Sequence, residues 1–198
     1  SYADDGVRLV IGRISQEPRK HYARLQAMAD YLALQLAGRG VSGVDVVMVS
    51  SPDRMRKLLE EGKVDILSET PFVALELEEA GLVSLLLREW KKGVSEYRTL
   101  IVARRDGPIT ELKDIIGHRF AFEDPGSTSG YLIPRAALEA ASLDLKALDN
   151  PRDPVPEGTV GYSFARGEIN VVAWVNRGLA EAGAISNLDW NNPDSAPD

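Results

Sequence analysis

Residues 119–141 read RFAFEDPGSTSGYLIPRAALEAA, and their order predicts a strand, a tight turn and a helix. From Arg119 to Glu123 polar and apolar residues alternate, as in a half-buried strand. Pro125 and Gly126 then break the chain. Ser127, Thr128 and Ser129 follow, each a suitable N-cap. Beyond them Leu132, Ile133, Ala136, Ala137 and Ala140 fall on one face of a helix.

The chemistry of this turn favours an anion. The first turn of a helix presents unpaired N–H groups and the positive end of the helix dipole. Adjacent hydroxyls add rotatable donors, and Gly126 and Gly130 are expected to leave room for a ligand. A phosphate-like group or a carboxylate fits such a place; the plainer reading is a Ser/Thr helix cap. Two enzyme readings fail. The middle residue of G-S-T-S-G is Thr128, so no serine nucleophile elbow is formed. The sequence also lacks the G-x-x-x-x-G-K-[ST] loop of nucleotide-binding enzymes.

Outward from this stretch, strand and helix alternate. Strands are expected at 7–12, 44–49, 64–67, 82–87, 96–104, 159–164 and 182–185, with 96–104 a candidate crossover between lobes. Helices are expected at 18–38, from 51 to about 61, and at 71–80, 110–116 and 168–177. Tyr22, Leu25, Met28, Ala29, Leu32 and Leu36 form the apolar stripe of the first helix, and Ile169, Val172 and Val175 that of the last. Trp90, Trp174 and Trp190 read as core or lobe-interface residues, and 143–158 as a surface loop. Such alternation predicts mostly parallel sheets covered on both faces. Ligands then sit at the carboxyl ends of strands, beside the next helix N-terminus. Ser68–Thr70 and Ser127–Ser129 both occupy that position.

A chain of 198 residues suits one domain or two small lobes. Its formal net charge of −7 argues against a nucleic-acid surface, so any anion site must work locally against the overall field. There are no cysteines, which excludes disulfides and Cys-ligated metals. No cofactor or metal is expected, and no apolar run reaches the length of a membrane helix.

Several segments resemble the substrate-binding proteins of phosphate, phosphite and phosphonate ABC transporters. They are VDILSETPFVALELEEAG (64–81), REWKKGVSEYRTLIVARRD (88–106), GHRFAFEDPGSTSGYLIPRAAL (117–138) and 160–190. The resemblance implies an α/β, two-lobe periplasmic-binding-protein type II fold, each lobe a mostly parallel sheet flanked by helices. Lobe 1 would span 1–97 and lobe 2 98–185, with 186–198 a return segment shorter than the family's. It implies a non-catalytic, monomeric protein that captures a small phosphorus oxyanion for a membrane permease. The alternative is the ligand-sensing domain of a signalling protein. It also implies an extracytoplasmic location, with SYADDG a mature start after signal-peptide removal. Ser127, Thr128 and Ser129 would grip phosphoryl oxygens. Tyr97 on the crossover strand would line the cleft, and Ser68, Glu69 and Thr70 would close it from the other lobe. Glu69 would accept a hydrogen bond from a protonated phosphoryl oxygen or a ligand amine. Tyr22 and Asn187 are further ligand-binding candidates. Asn187 stands where some family members carry an acid, which argues against aminophosphonates.

Overall fold

The structure, a computed structural model, describes residues 6–16 and 18–191. The chain start and most of the expected return segment lie outside these residues. The chain divides into two compact units, Ser1–Leu86 and Leu87–Asp198.

The first unit contains β1 (Val7–Ile14), α1 (Pro18–Leu36), β2 (Val41–Val49), α2 (Pro52–Glu60), β3 (Ile66–Leu67) and α3 (Pro71–Glu79). Its sheet runs β2-β1-β3, all parallel. Alternation along β1 sends Leu9 and Ile11 to one face and Val10 and Ile14 to the other. Leu25 and Ala29 of α1 bury against the first face, Met55 and Leu58 of α2 against the second. Tyr22 and Met28, placed in the α1 stripe by spacing, are exposed at 52% and 38%. The three-strand sheet is too narrow to cover the whole stripe.

The segment expected as a strand at 82–87 forms none. Leu85, Leu86 and Leu87 are exposed. An apolar run becomes a strand only where a neighbour takes its backbone hydrogen bonds, and no described strand pairs with this one.

The second unit contains β4 (Thr99–Ala103), a 3-10 turn (Leu112–Ile115), β5 (Arg119–Phe122), a π-helical turn (Thr128–Leu132), α4 (Ile133–Ala140), β6 (Leu145–Ala147), β7 (Val160–Phe164), α5 (Glu168–Asn176), β8 (Ala182–Ser186) and α6 (Asn187–Trp190). Its sheet order is β4-β8-β5-β7-β6, parallel except for β4, which runs antiparallel to β8. Phe120 and Phe122 pack on one face of β5 and Ala121 on the other. A Cβ at Gly183 would stand 2.5 Å from Val171 Cγ1, so glycine lets α5 lie directly on β8.

Four readings are corrected here. The 143–158 segment holds a short strand, β6, on the β7 edge, anchored by the buried Leu143. The buried apolar side chains of α4 and its leading turn are Tyr131, Pro134 and Leu138, while Ile133, Ala136, Ala137 and Ala140 are exposed. The π turn inserts an extra residue before α4 and rotates its inward face. In α5, Val171 and Val175 are buried but Ile169 is 60% exposed. Of the tryptophans, Trp174 packs on the β5–β8 face while Trp90 and Trp190 are exposed.

Candidate functional site

The turn after β5 is held by its own main chain and by aromatic packing. Tyr131 lies edge-on to Phe122 at 5.0 Å and to Phe164 at 4.9 Å, pinning the start of the helix to β5 and β7. The Ser127 carbonyl accepts from the N–H groups of Tyr131 and Leu132 at 3.2 and 3.0 Å. The Ile133 N–H reaches the Thr128 carbonyl, which completes the π turn. Such turns recur at functional sites because they open the helical ladder.

Ser127 is the N-cap, and its hydroxyl oxygen accepts from Gly130 N–H at 2.9 Å. The same hydroxyl donates to the Glu123 carboxylate at 2.6 Å. Ser127 and Ser129 are buried, and Thr128 is half-buried. The Ser129 carbonyl accepts from the Thr99 hydroxyl at 2.8 Å, fastening the turn to β4. The Ser129 N–H has no protein acceptor among the described residues. The expectation that Gly130 leaves room for a ligand is corrected. A Cβ there would meet Glu123 Cβ at 2.6 Å, Glu123 Oε2 at 2.7 Å and Ser127 Oγ at 2.8 Å, so the space belongs to the Glu123–Ser127 pair.

Tyr97 is half-buried two residues before β4, and the Lys91 ammonium stands 5.0 Å from its ring centroid. Asn187 is bound into the main chain. Its side-chain oxygen accepts from Arg98 N–H at 2.7 Å, and its own N–H donates to the Arg98 carbonyl at 2.9 Å. It therefore closes the end of the β4–β8 ladder. Thr99 is thus the hub of this unit's candidates: it bonds Ser129, pairs with Ser186, and follows the Arg98–Asn187 closure.

In the first unit, the ends of β1 and β3 lie side by side. Ser68 is buried, its N–H donates to the Gly12 carbonyl at 3.1 Å, and its carbonyl accepts from Arg13 Nη1 at 2.9 Å. Glu69 turns back on β1: its carboxylate accepts from Ile14 N–H at 2.5 Å and from Thr70 N–H at 3.1 Å. Both oxygens carry main-chain donors, so a ligand contact at Glu69 would compete with them. Thr70 is the N-cap of α3 and makes no side-chain cap bond. Tyr22 stands on the exposed side of α1.

Three residues escaped the sequence reading. Glu123 ends the alternating strand and passes for its last polar position. Thr99 lies within an apolar run. Arg13 interrupts the apolar run of β1 near its carboxyl end, a signal that could have been read. Its Nε is buried with no partner among the described residues. Partial burial and the Arg13 charge pull the Arg24 pKa below the ordinary arginine value. The shift marks two guanidinium groups near enough to interact at this edge.

Against known proteins, residues 11–198 match the family model described as ABC transporter, phosphonate, periplasmic substrate-binding protein. The chain belongs to this phosphonate-binding family. It is similar to XAC2383 from Xanthomonas citri, solved bound to chloride ion, at 34% identity with a TM-score of 0.89, over 96% of this chain and 68% of that one. The same protein bound to ATP superposes with a TM-score of 0.87, with the same identity and coverage. The Phosphate-import protein PhnD of Mycolicibacterium smegmatis is 32% identical over 126 residues, 61% of this chain but 39% of that protein, so the chain spans about two-fifths of this curated relative. PhnD1 of Prochlorococcus marinus, solved with methylphosphonate, shares the fold at 18% identity, with a TM-score of 0.66 over 98% of this chain and 70% of that one. The two sheets with flanking helices are those of a type II periplasmic binding protein. Family members are transport-associated binding proteins rather than enzymes. No described helix is long and apolar enough to cross a membrane.

Proposed function

We propose that this phosphonate-binding family member captures a small phosphorus oxyanion, phosphate, phosphite or a phosphonate, outside the cytoplasm and delivers it to an ABC permease. The observation that carries the reading is the Ser127–Ser129 turn. It is a helix entry opened by a π turn, fixed by Tyr131 and Thr99, with a main-chain N–H at Ser129 unclaimed by protein. An anion supplies the acceptor that such a turn lacks. The names of the relatives point the same way, since chloride, ATP and methylphosphonate are all anions. The hydroxyls of Ser129, Thr128 and Tyr97 are proposed to contribute donors beside the Ser129 N–H. Ser127 orders the turn, and Asn187 holds β4 against β8. Within the first unit taken by itself, the Ser68–Thr70 edge with Arg13 is proposed as an anion-binding feature.

A thermal-shift panel tests this function. A ligand that binds only the folded chain raises its melting temperature with saturation. Phosphate, phosphite or methylphosphonate is expected to shift the midpoint, with acetate inert. A flat response to every phosphorus compound would contradict the proposal.

A further inference from the structure

We propose that the second unit carries a further ligand site, for a small aliphatic α-amino acid, at the end of its sheet opposite the Ser127–Ser129 turn. A cavity of about 250 Å³ lies there. Its walls come from residues at the amino-terminal ends of β5 and β8 (His118, Arg119 and Glu181) and from the loop between β6 and β7 (Arg152, Asp153 and Val155). The length of β5 alone separates this place from the turn by on the order of 10 Å, at about 3.3 Å per residue. Pockets for drug-sized ligands hold roughly 300–1,000 Å³, so this one suits a smaller molecule.

The cavity holds charges of both signs, and the protein has used only some of them. Arg119 and Glu181 answer each other: Arg119 Nη2 stands 3.0 Å from Glu181 Oε1, and the same carboxylate accepts from Arg119 N–H at 2.8 Å. The Arg152 guanidinium is exposed and has no acceptor among the described residues. Asp153 spends one oxygen, since Oδ2 accepts from Asn150 N–H at 2.9 Å, while Oδ1 has no donor among the described residues. The loop that presents both groups is held without them. Arg152 N–H donates to Asn150 Oδ1 at 2.9 Å and Asp153 N–H to the Asn150 carbonyl at 3.0 Å. What remains for a ligand is a cationic fork, a carboxylate oxygen and the apolar surface of Pro154 and Val155. A simple anion would satisfy Arg152 but face Asp153, and a simple cation would meet the reverse. A zwitterion satisfies both. Its carboxylate matches the guanidinium fork, with the His118 imidazole beside it, and its ammonium donates to Asp153 Oδ1. An aliphatic side chain then leaves water against Pro154 and Val155.

The test is calorimetric titration of L-leucine into the full chain. Saturable binding is expected, unchanged by saturating phosphate. 4-Methylpentanoate lacks the ammonium and 3-methylbutylamine lacks the carboxylate; each should bind about tenfold or more weakly. Arg152→Ala keeps the main-chain bond to Asn150, and Asp153→Asn keeps an oxygen for Asn150 N–H, so both variants should fold as the unaltered protein does. Each should weaken leucine binding about tenfold or more and leave phosphate binding as it was. No saturable leucine binding by the unaltered chain would overturn the inference, as would binding that both variants retain in full. Leucine displaced by phosphate would place it at the turn and overturn the separate site. 4-Methylpentanoate binding as tightly as leucine would overturn the zwitterion assignment. None of these outcomes bears on oxyanion binding by the Ser127–Ser129 turn.

Discussion

At the scale of single residues, the serines of the turn divide their labour. Ser127 spends its hydroxyl on Gly130 and Glu123, so it acts first on the fold. Replacing an N-cap serine by alanine costs about 1 kcal/mol, and Ser127→Ala should lower the denaturation midpoint of the protein accordingly. Ser129 makes no protein hydrogen bond through its side chain among the described residues. Ser129→Ala should leave the midpoint nearly unchanged. It should weaken oxyanion binding about tenfold or more, since a hydrogen bond to a charged group is worth roughly 1.5–3 kcal/mol. Equal stability losses in the two variants, read by urea titration, would contradict this division. Gly130→Ala is the severe case. Its Cβ would fall 2.6 Å from Glu123 Cβ, within a turn that has no slack. A loss of about 1–3 kcal/mol is expected from overpacking, together with loss of ligand binding; a variant with unaltered stability and affinity would contradict it.

At the scale of elements, legibility followed the strength of the local signal. The unit from β5 to α4 was readable because strand alternation, a Pro-Gly break and a run of caps agree within twenty-odd residues. What could not be read was the π turn, because an inserted helical residue leaves no mark in composition. One extra residue is enough to move the buried face from Ala136 and Ala137 to Pro134 and Leu138. The 82–87 run failed for another reason: apolarity alone cannot say whether a partner strand exists. The serine and threonine candidates were legible as a motif, yet Glu123 and Thr99 were not. Their role depends on what lies across the turn, not along the chain. Another cross-element tie yields a pH prediction. The Glu181 carboxylate accepts from the Arg119 main chain at 2.8 Å and from its guanidinium at 3.0 Å, joining the start of β5 to the approach to β8. Desolvation pushes its pKa up, but the Arg119 hydrogen bonds and charge outweigh this and hold it below the ordinary glutamate value of 4.5. A lowered folded pKa means the stabilisation is present above pH 4.5 and lost as pH falls through the folded value. Glu181→Gln should therefore reduce stability by about 1–3 kcal/mol at neutral pH and show a shallower acid loss than the unaltered protein. Parallel acid unfolding curves for the two would contradict the assignment.

At the scale of the whole molecule, a chain of net charge −7 is proposed to collect an anion. Long-range attraction cannot do this, so capture must depend on short-range donors that act only once the ligand has arrived. Salt then has an unusual sign. Screening, with a length of about 10 Å at 0.1 M, should raise the association rate of phosphate or phosphonate instead of lowering it. Stopped-flow traces at two ionic strengths would show this, and a rate that falls with salt would point to steering by local guanidinium groups such as Arg13 and Arg24. The measurement that goes most directly to the central claim is calorimetric titration of phosphate, phosphite and methylphosphonate into the unaltered chain and into Ser129→Ala. Saturable one-site binding of at least one of them, weakened about tenfold or more in the variant, is the predicted result. Binding that is the same in both proteins, or absent from the unaltered one, would contradict the account of the Ser127–Ser129 turn as the place where this protein holds its ligand.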